Sequence, residues 1–382
     1  MAFELAPDFV LQSDVVLQSW QSGSVDAVID VLDEPQIWIG AAAGGAFGAA
    51  LGALPAFIFT GFLVIAGTLG TGSGAGVGVG FGEVFGPHVS FAGGAAAAAY
   101  AAKNGLMESG FDYHNGKDIT FALGSKPDIL AVGALFGMFG ILMENVFRQL
   151  AVPTDPIAIT VVGSAVLHRI VFGYPVIGKV SDKASGFFDM GPFEREEMRE
   201  PGEMPISDGE KESEDLLAVE PWLPNMYKWS HVASIGLVAG AAGGYAGLHI
   251  SNLIGGGPFP GVFFGFGLSA ASLLFLNLGV DRIPVTHHMT LPGATAYFAV
   301  TMDAGNNAIL SGADPAVGMI MAAIFGLIGA LLGEVVQRIF YAHSNTHLDP
   351  PAFSIFLSHS IIAVLALAGV FATAVWVPGA AF

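Results

Sequence analysis

The stretch His88-Val89-Ser90-Phe91-Ala92-Gly93 returns later in the chain as His288-Met289-Thr290-Leu291-Pro292-Gly293. Each copy carries a hydroxyl residue two positions after its His and a Gly five positions after it. The wider order repeats as well. Glu144-x-x-x-Arg148, Asp155-Pro156 and His168 follow the first copy; Glu334-x-x-x-Arg338, Asp349-Pro350 and His359 follow the second. All of these lie inside or at the edges of long apolar runs. Ionisable groups at membrane depth are costly and mark a pathway or a site. A duplicated membrane unit places that site between its repeats.

Composition agrees with a membrane chain. Of 382 residues, 53% are hydrophobic and 12% charged, and mean hydropathy is +0.65. A soluble domain is typically about 25% charged. The 53 Gly residues suit helices that approach backbone to backbone. There is no Cys, which excludes disulfides and thiolate metal sites. The net charge of −19 argues against nucleic-acid binding, which needs a basic footprint. Between Ser181 and Glu220 stand 13 acids and 4 bases, read as a solvated, mobile loop. An acidic, Lys-poor surface also fits a halophilic setting.

A hydrophobic run of about 20 residues spans a bilayer. Spans are expected near 37–54, 55–71, 88–103, 128–149 and 156–176, then near 230–252, 257–280, 288–304, 315–340 and 353–377. The third and eighth are short, and each opens on the repeated His motif, as re-entrant half-helices would. The expected fold is therefore an all-α polytopic membrane protein of about ten segments in a 5+5 inverted repeat. Its parts are an amphipathic interfacial segment (1–36), a first repeat (37–176), an acidic loop (177–229) and a second repeat (230–380). One face would carry eleven Lys and Arg and the other only Arg148. The positive-inside rule then puts the acidic loop in the cytoplasm and both termini outside. Six of the eleven lie in the one long loop, where the rule counts less.

The N-terminus does not read as a secretory signal, having no Lys or Arg before Lys103. Residues 8–32 read instead as surface-lying amphipathic helix. Gly67–Gly86, with Gly at alternate positions from Gly70 to Gly82, reads as non-helical backbone. Such backbone either lines a cavity at membrane depth or forms a loop outside it.

The candidate pathway residues are His88, Ser90, Glu144, His168, His288, Thr290, Glu334 and His359. A half-helix opening at His88 or His288 offers free N–H groups and a partial positive charge, which suit an anion or polar solute. His287 has no counterpart in the first half. Glu144 with Arg148 and Glu334 with Arg338 are i,i+4 ion pairs. They are read as structural, with the Glu residues as cation or proton ligands in the functional alternative. Asp155 and Asp349 precede Pro as ordinary helix N-caps do. His88, His168, Asp155, His288, Asp349 and His359 also form an N/O donor set that suits zinc or iron, although no local spacing such as HExxH brings them together. His343 and His347 are a further i,i+4 pair, read mainly as part of a polar loop.

Three functions follow from these residues. The foremost is a channel or transporter for a small solute or ion, with its pathway between the repeats. In layout alone this resembles the five-plus-five inverted repeats of ammonium and urea channels and several secondary transporters. The second is a membrane metalloprotein, and the third a scaffolding protein. No enzyme motif is present. The expected partners are the lipid bilayer of the cell membrane and a small solute. The small-residue faces Gly40–Gly45 and Ala239–Gly244 also allow close helix contact within or between subunits, as in a homo-oligomer.

Overall fold

The computed structural model describes residues 28–29, 32–71, 75–107, 109, 112–203, 215–255 and 257–380. Most of the expected interfacial segment lies outside them. Among the described residues every extended element is helical, apart from one isolated bridge between Met198 and Leu217. In chain order the main helices are α1 (Pro35–Leu51), α2 (Ala53–Thr71), α3 (Ala75–Phe81), α4 (Ala92–Lys103, entered through a π-turn Pro87–Phe91), α5 (Pro127–Gln149) and α6 (Pro156–Phe172). A short α7 (Gly191–Glu194) precedes α8 (Trp229–Ile254), α9 (Pro258–Asn277), α10 (His287–Thr301), α11 (Pro315–Val336) and α12 (Pro350–Leu367). Six of these are long and apolar enough to cross a membrane: α2, α5, α8, α9, α11 with its π-turn extension, and α12. These six helices are consistent with a multi-pass membrane protein.

Local chemistry sets the helix ends. Pro opens α1, α5, α6, α9, α11 and α12, where its missing N–H costs nothing. Asp155, Asp314 and Asp349 accept backbone N–H groups at the starts of α6, α11 and α12. Gly173 and Gly255 end α6 and α8 in the left-handed region, at φ 75° and 70°.

Small residues set the packing, in the same way in both halves. α1 crosses α5 where Gly45 meets Gly133 and Gly137; α8 crosses α11 where Gly240 meets Ala322 and Gly326. A Cβ on Gly140 would fall on the carbonyl oxygen of His88, and one on Gly329 would fall on that of His288. Between halves, corresponding helices meet each other. Gly61 of α2 lies against Ala270 and Ala271 of α9, while Val64 and Ile65 face Gly267. Rising numbers on α2 thus meet falling numbers on α9, so the two helices run antiparallel. α6 and α12 do likewise. Thr154 donates to the Phe356 carbonyl at 2.7 Å and receives Ser360 Oγ at 3.0 Å, while Ala165 packs with Leu348.

Three expectations change. The Gly-rich stretch is largely helical: α2 continues to Thr71 and α3 folds back on it, because Gly80 fits against Val64 and the Thr60 carbonyl. The last apolar run is helical only to Leu367. Beyond it, Gly369 (φ 71°) turns the chain back, and Phe371, Trp376 and Val377 are buried in irregular backbone that bonds to α10 through Ala372 N–H and the Ala299 carbonyl. The acidic segment is not simply solvated. Leu216, Ala218, Val219 and Glu220 are fully buried, and Glu220 N–H donates to the Ala342 carbonyl at 3.0 Å.

Candidate functional site

A cavity of about 1710 Å³ lies between the halves. Phe57 of α2, Phe81 of α3, Phe91 of the π-turn and Val161 of α6 line it from the first half. Phe263 and Phe266 of α9, His287 and Leu291 of α10, Ile355 of α12 and Trp376 line it from the second. The starts of the two short helices approach each other across one ring. The Phe57 ring centroid is 5.9 Å from that of Phe91 and 4.8 Å from that of His287.

Polar groups line it as well, with carboxylates outnumbering basic side chains. His88 is 1% exposed, lines the cavity, and has no hydrogen-bond partner on either ring nitrogen. Gly86 makes room for it, since a Cβ there would strike the imidazole. Glu144 and Arg148 line the wall as an ion pair, with Nε to Oε1 at 2.6 Å. Asp155 and Asp349 also line it, with carboxylates occupied as N-caps. Asp155 Oδ1 accepts from the Ile157 and Ala158 amides, while Asp349 Oδ2 accepts from Ala352 and its Oδ1 lies 3.2 Å from His347 Nε2.

The other candidates sit behind the wall. Ser90 bonds to the Phe85 carbonyl at 3.2 Å. Thr290 Oγ1 lies 3.2 Å from Ser269 Oγ. His168 Nε2 is 3.2 Å from Thr346 Oγ1. His359 is held by the Ile355 carbonyl at 2.9 Å and Thr295 Oγ1 at 3.0 Å. His288 packs edge-on to Trp222, with ring centroids 5.9 Å apart. Glu334 binds Arg338 and Gln337, and Arg338 turns away to the carbonyls of Phe188 and Tyr227.

The two Glu-x-x-x-Arg pairs are therefore not equivalent in space. Gly140 and Gly329 hold the same place against the two His carbonyls, but Glu144 follows by four residues and Glu334 by five. One residue is about 100° of helix rotation, which carries one pair into the cavity and the other toward the acidic segment. His287 shows the same effect. It, rather than His288, lines the cavity, and only the direction of a side chain on a helix distinguishes the two.

Among the described residues no three His, Asp or Glu side chains converge as a metal-binding group. His343 faces the Phe187 carbonyl at 3.3 Å while His347 faces Asp349, so that pair does not share a ligand.

One end of the cavity carries a polar cluster that sequence reading missed. Glu220 Oε2 receives Lys117 Nζ at 2.7 Å, and Oε1 lies 2.8 Å from His114 Nδ1. Lys117 also stands 4.6 Å from the centre of the Tyr341 ring. Burial would push the Glu220 carboxyl up, but His114, Lys117 and Arg199 outweigh it and hold it at about 2. Burial lowers the Lys117 ammonium to about 8, against the pull of Glu220. The partners are more than 100 positions apart in the chain, so no local spacing announces them.

The chain belongs to a family of unknown function, DUF7973, whose model matches residues 27–380. Neither the curated proteins nor the solved structures contain a match to it.

Proposed function

We propose that the chain is an integral membrane channel or transporter for a small solute or ion, with its pathway at the interface of two inverted five-segment repeats. The observation that carries this reading is the cavity between the halves, with unpartnered His88 in its wall. The inverted arrangement is supported by the antiparallel pairing of α2 with α9 and of α6 with α12. Helices related by a two-fold axis along the membrane normal would run parallel; an axis in the membrane plane makes them antiparallel. The reading places the loops at 104–126, 177–229 and 342–349 on the cytoplasmic side, with both termini outside. The pathway residues are His88, Glu144, Asp155, His287 and Asp349.

Reconstitution into liposomes tests this. Flux of protons, small ions and small neutral solutes is measured for wild type beside Ala158→Trp, which places an indole in the lumen. At least one species should pass the wild type, and the variant should lose most of that flux while remaining folded. Flux of every species equal to that of empty liposomes, or indifferent to the indole, would sink the proposal.

A further inference from the structure

The charge of the cavity wall is one-sided. Eight Asp and Glu side chains line it against three Lys and Arg. Lys117 is paired with Glu220 and Arg148 with Glu144, which leaves Arg282, an exposed residue. The summed field of such a wall favours a cation over an anion. Asp155 gives that field a point of attachment. It is 5% exposed, and one of its oxygens does the capping of α6: Oδ1 accepts from the Ile157 and Ala158 amides at 2.9 and 3.0 Å. Its Oδ2 accepts from none of the described residues and is not sealed within the protein; the residue lines the cavity. A buried carboxylate oxygen calls for a donor. By contrast, Asp349 uses both oxygens, on the Ala352 amide and beside His347, and Glu144 is held by Arg148.

The wall beside Asp155 is aromatic. Ala158 and Val161, three and six positions along α6, line the same cavity and pack in one core with Phe57 and Phe91. The Phe57 ring stands 5.9 Å from that of Phe91 and 5.8 Å from that of Phe266, and Trp376 faces Phe263 at 5.0 Å. Aromatic faces attract cations and cover apolar groups equally well. Among the described residues no His, Asp and Glu converge as a metal-binding group. The cavity, at about 1710 Å³, also exceeds the few hundred to about 1,000 Å³ that holds a typical organic ligand, so a bare inorganic ion would leave most of it unfilled.

We infer that the cavity binds a small organic ammonium ion. Asp155 Oδ2 receives the ammonium group, and the ring of Phe57 with its aromatic neighbours receives the apolar body. This rests on the pathway reading above and names its substrate class. Asp112 and Asp281, exposed in the cavity rim, attract a cation on approach. Salt screens that attraction, so association should slow as ionic strength rises.

Benzylamine, benzyl alcohol and benzoate share a ring and differ in charge, while methylammonium has the charge without the ring. Each is titrated by calorimetry into the purified full chain in non-ionic detergent, at a pH where carboxylates are ionised and amines protonated. Wild type is measured beside Asp155→Asn, which keeps the cap and removes the charge. Benzylamine should bind at least about tenfold tighter than the other three, a difference of roughly 1.4 kcal/mol. Asp155→Asn should weaken benzylamine by a similar factor and leave benzyl alcohol unchanged. Should that variant fail to fold, Asp155→Ser, which also caps, gives the same readout. Tighter binding of benzoate, equal binding of benzyl alcohol, or benzylamine binding indifferent to Asp155→Asn overturns the assignment. So does absence of benzylamine binding in protein whose liposomes still pass another solute; the pathway then stands without this substrate. No binding, together with flux that ignores Ala158→Trp, overturns both.

Discussion

At the scale of single residues, Lys117 and Glu220 form an ion pair outside the membrane-spanning helices, at 2.7 Å. Both side chains are fully buried, so removing one charge strands the other. Such a break costs about 3–5 kcal/mol, whereas replacing both groups by apolar ones is often nearly neutral. Glu220→Gln should therefore lower the unfolding temperature sharply, and Lys117→Met with Glu220→Leu should recover much of the loss. The pH dependence has a definite sign. Glu220 is held at about 2 in the fold, below its ordinary 4.5, so the unfolded chain takes up its proton first. Its stabilisation is complete above about 4.5 and is lost as pH falls toward 2. Unfolding temperatures of wild type and Glu220→Gln, measured from pH 3 to 7, should converge at the acid end. A gap that stays constant through pH 3 would refute the assignment. None of this cluster was legible in the sequence, because its members meet only through the folding of the acidic segment. The His motif was legible as a repeat, but a repeat fixes order and not direction: it marks His88 and His288 alike, while His88 and His287 line the cavity.

At the scale of elements, hydropathy and Pro placed the helices well. Runs expected at 128–149 and 315–340 meet helices at Pro127–Gln149 and Pro315–Val336, since a Pro opening and an unbroken apolar run leave little choice of ends. Reading failed where tertiary contact overrode local preference. α3 is helical despite alternating Gly because α2 offers it a surface, and the chain after Leu367 is irregular because α10 bonds it. The same contacts predict which Gly residues tolerate a methyl group. Gly140→Ala and Gly329→Ala would force backbone apart at the two His carbonyls, a strain of about 1–3 kcal/mol or more. Gly163, within α6, has nothing within 4 Å of an added Cβ, and Ala there should stabilise by roughly 0.5–1 kcal/mol. Thermal unfolding of the three variants in one detergent checks this. A Gly140→Ala variant as stable as wild type would mean that the His88 turn and α5 do not touch as described. The Gly residues on α1 and α8 make such contacts within the chain.

At the scale of the whole molecule, the inverted arrangement proposed above would sort the loops into two groups, and the contacts between loops agree with that sorting. The loop before α5 meets the acidic segment through His114 and Glu220 and meets the chain before α12 through His347 N–H and the Gly116 carbonyl. Asn225 reaches the Asp281 carbonyl at 3.1 Å, adding the loop between α9 and α10 to the same side. A second group forms elsewhere: Ile309, in the loop between α10 and α11, bonds to Gly369 beyond α12. With the proposed five segments in each half, these groups would fall on opposite faces of the membrane. Moving one segment out of the bilayer would put loops that touch on different sides. The absence of Cys makes the test direct, because any single cysteine is the only thiol. Asn225→Cys and Asn307→Cys are both at exposed positions. In intact cells a membrane-impermeant maleimide should label Asn307→Cys at once and Asn225→Cys only after permeabilisation. Labelling of both before permeabilisation would remove the ten-segment arrangement. The reverse order would keep it and turn the protein over, placing the acidic segment outside against the bias of its bases.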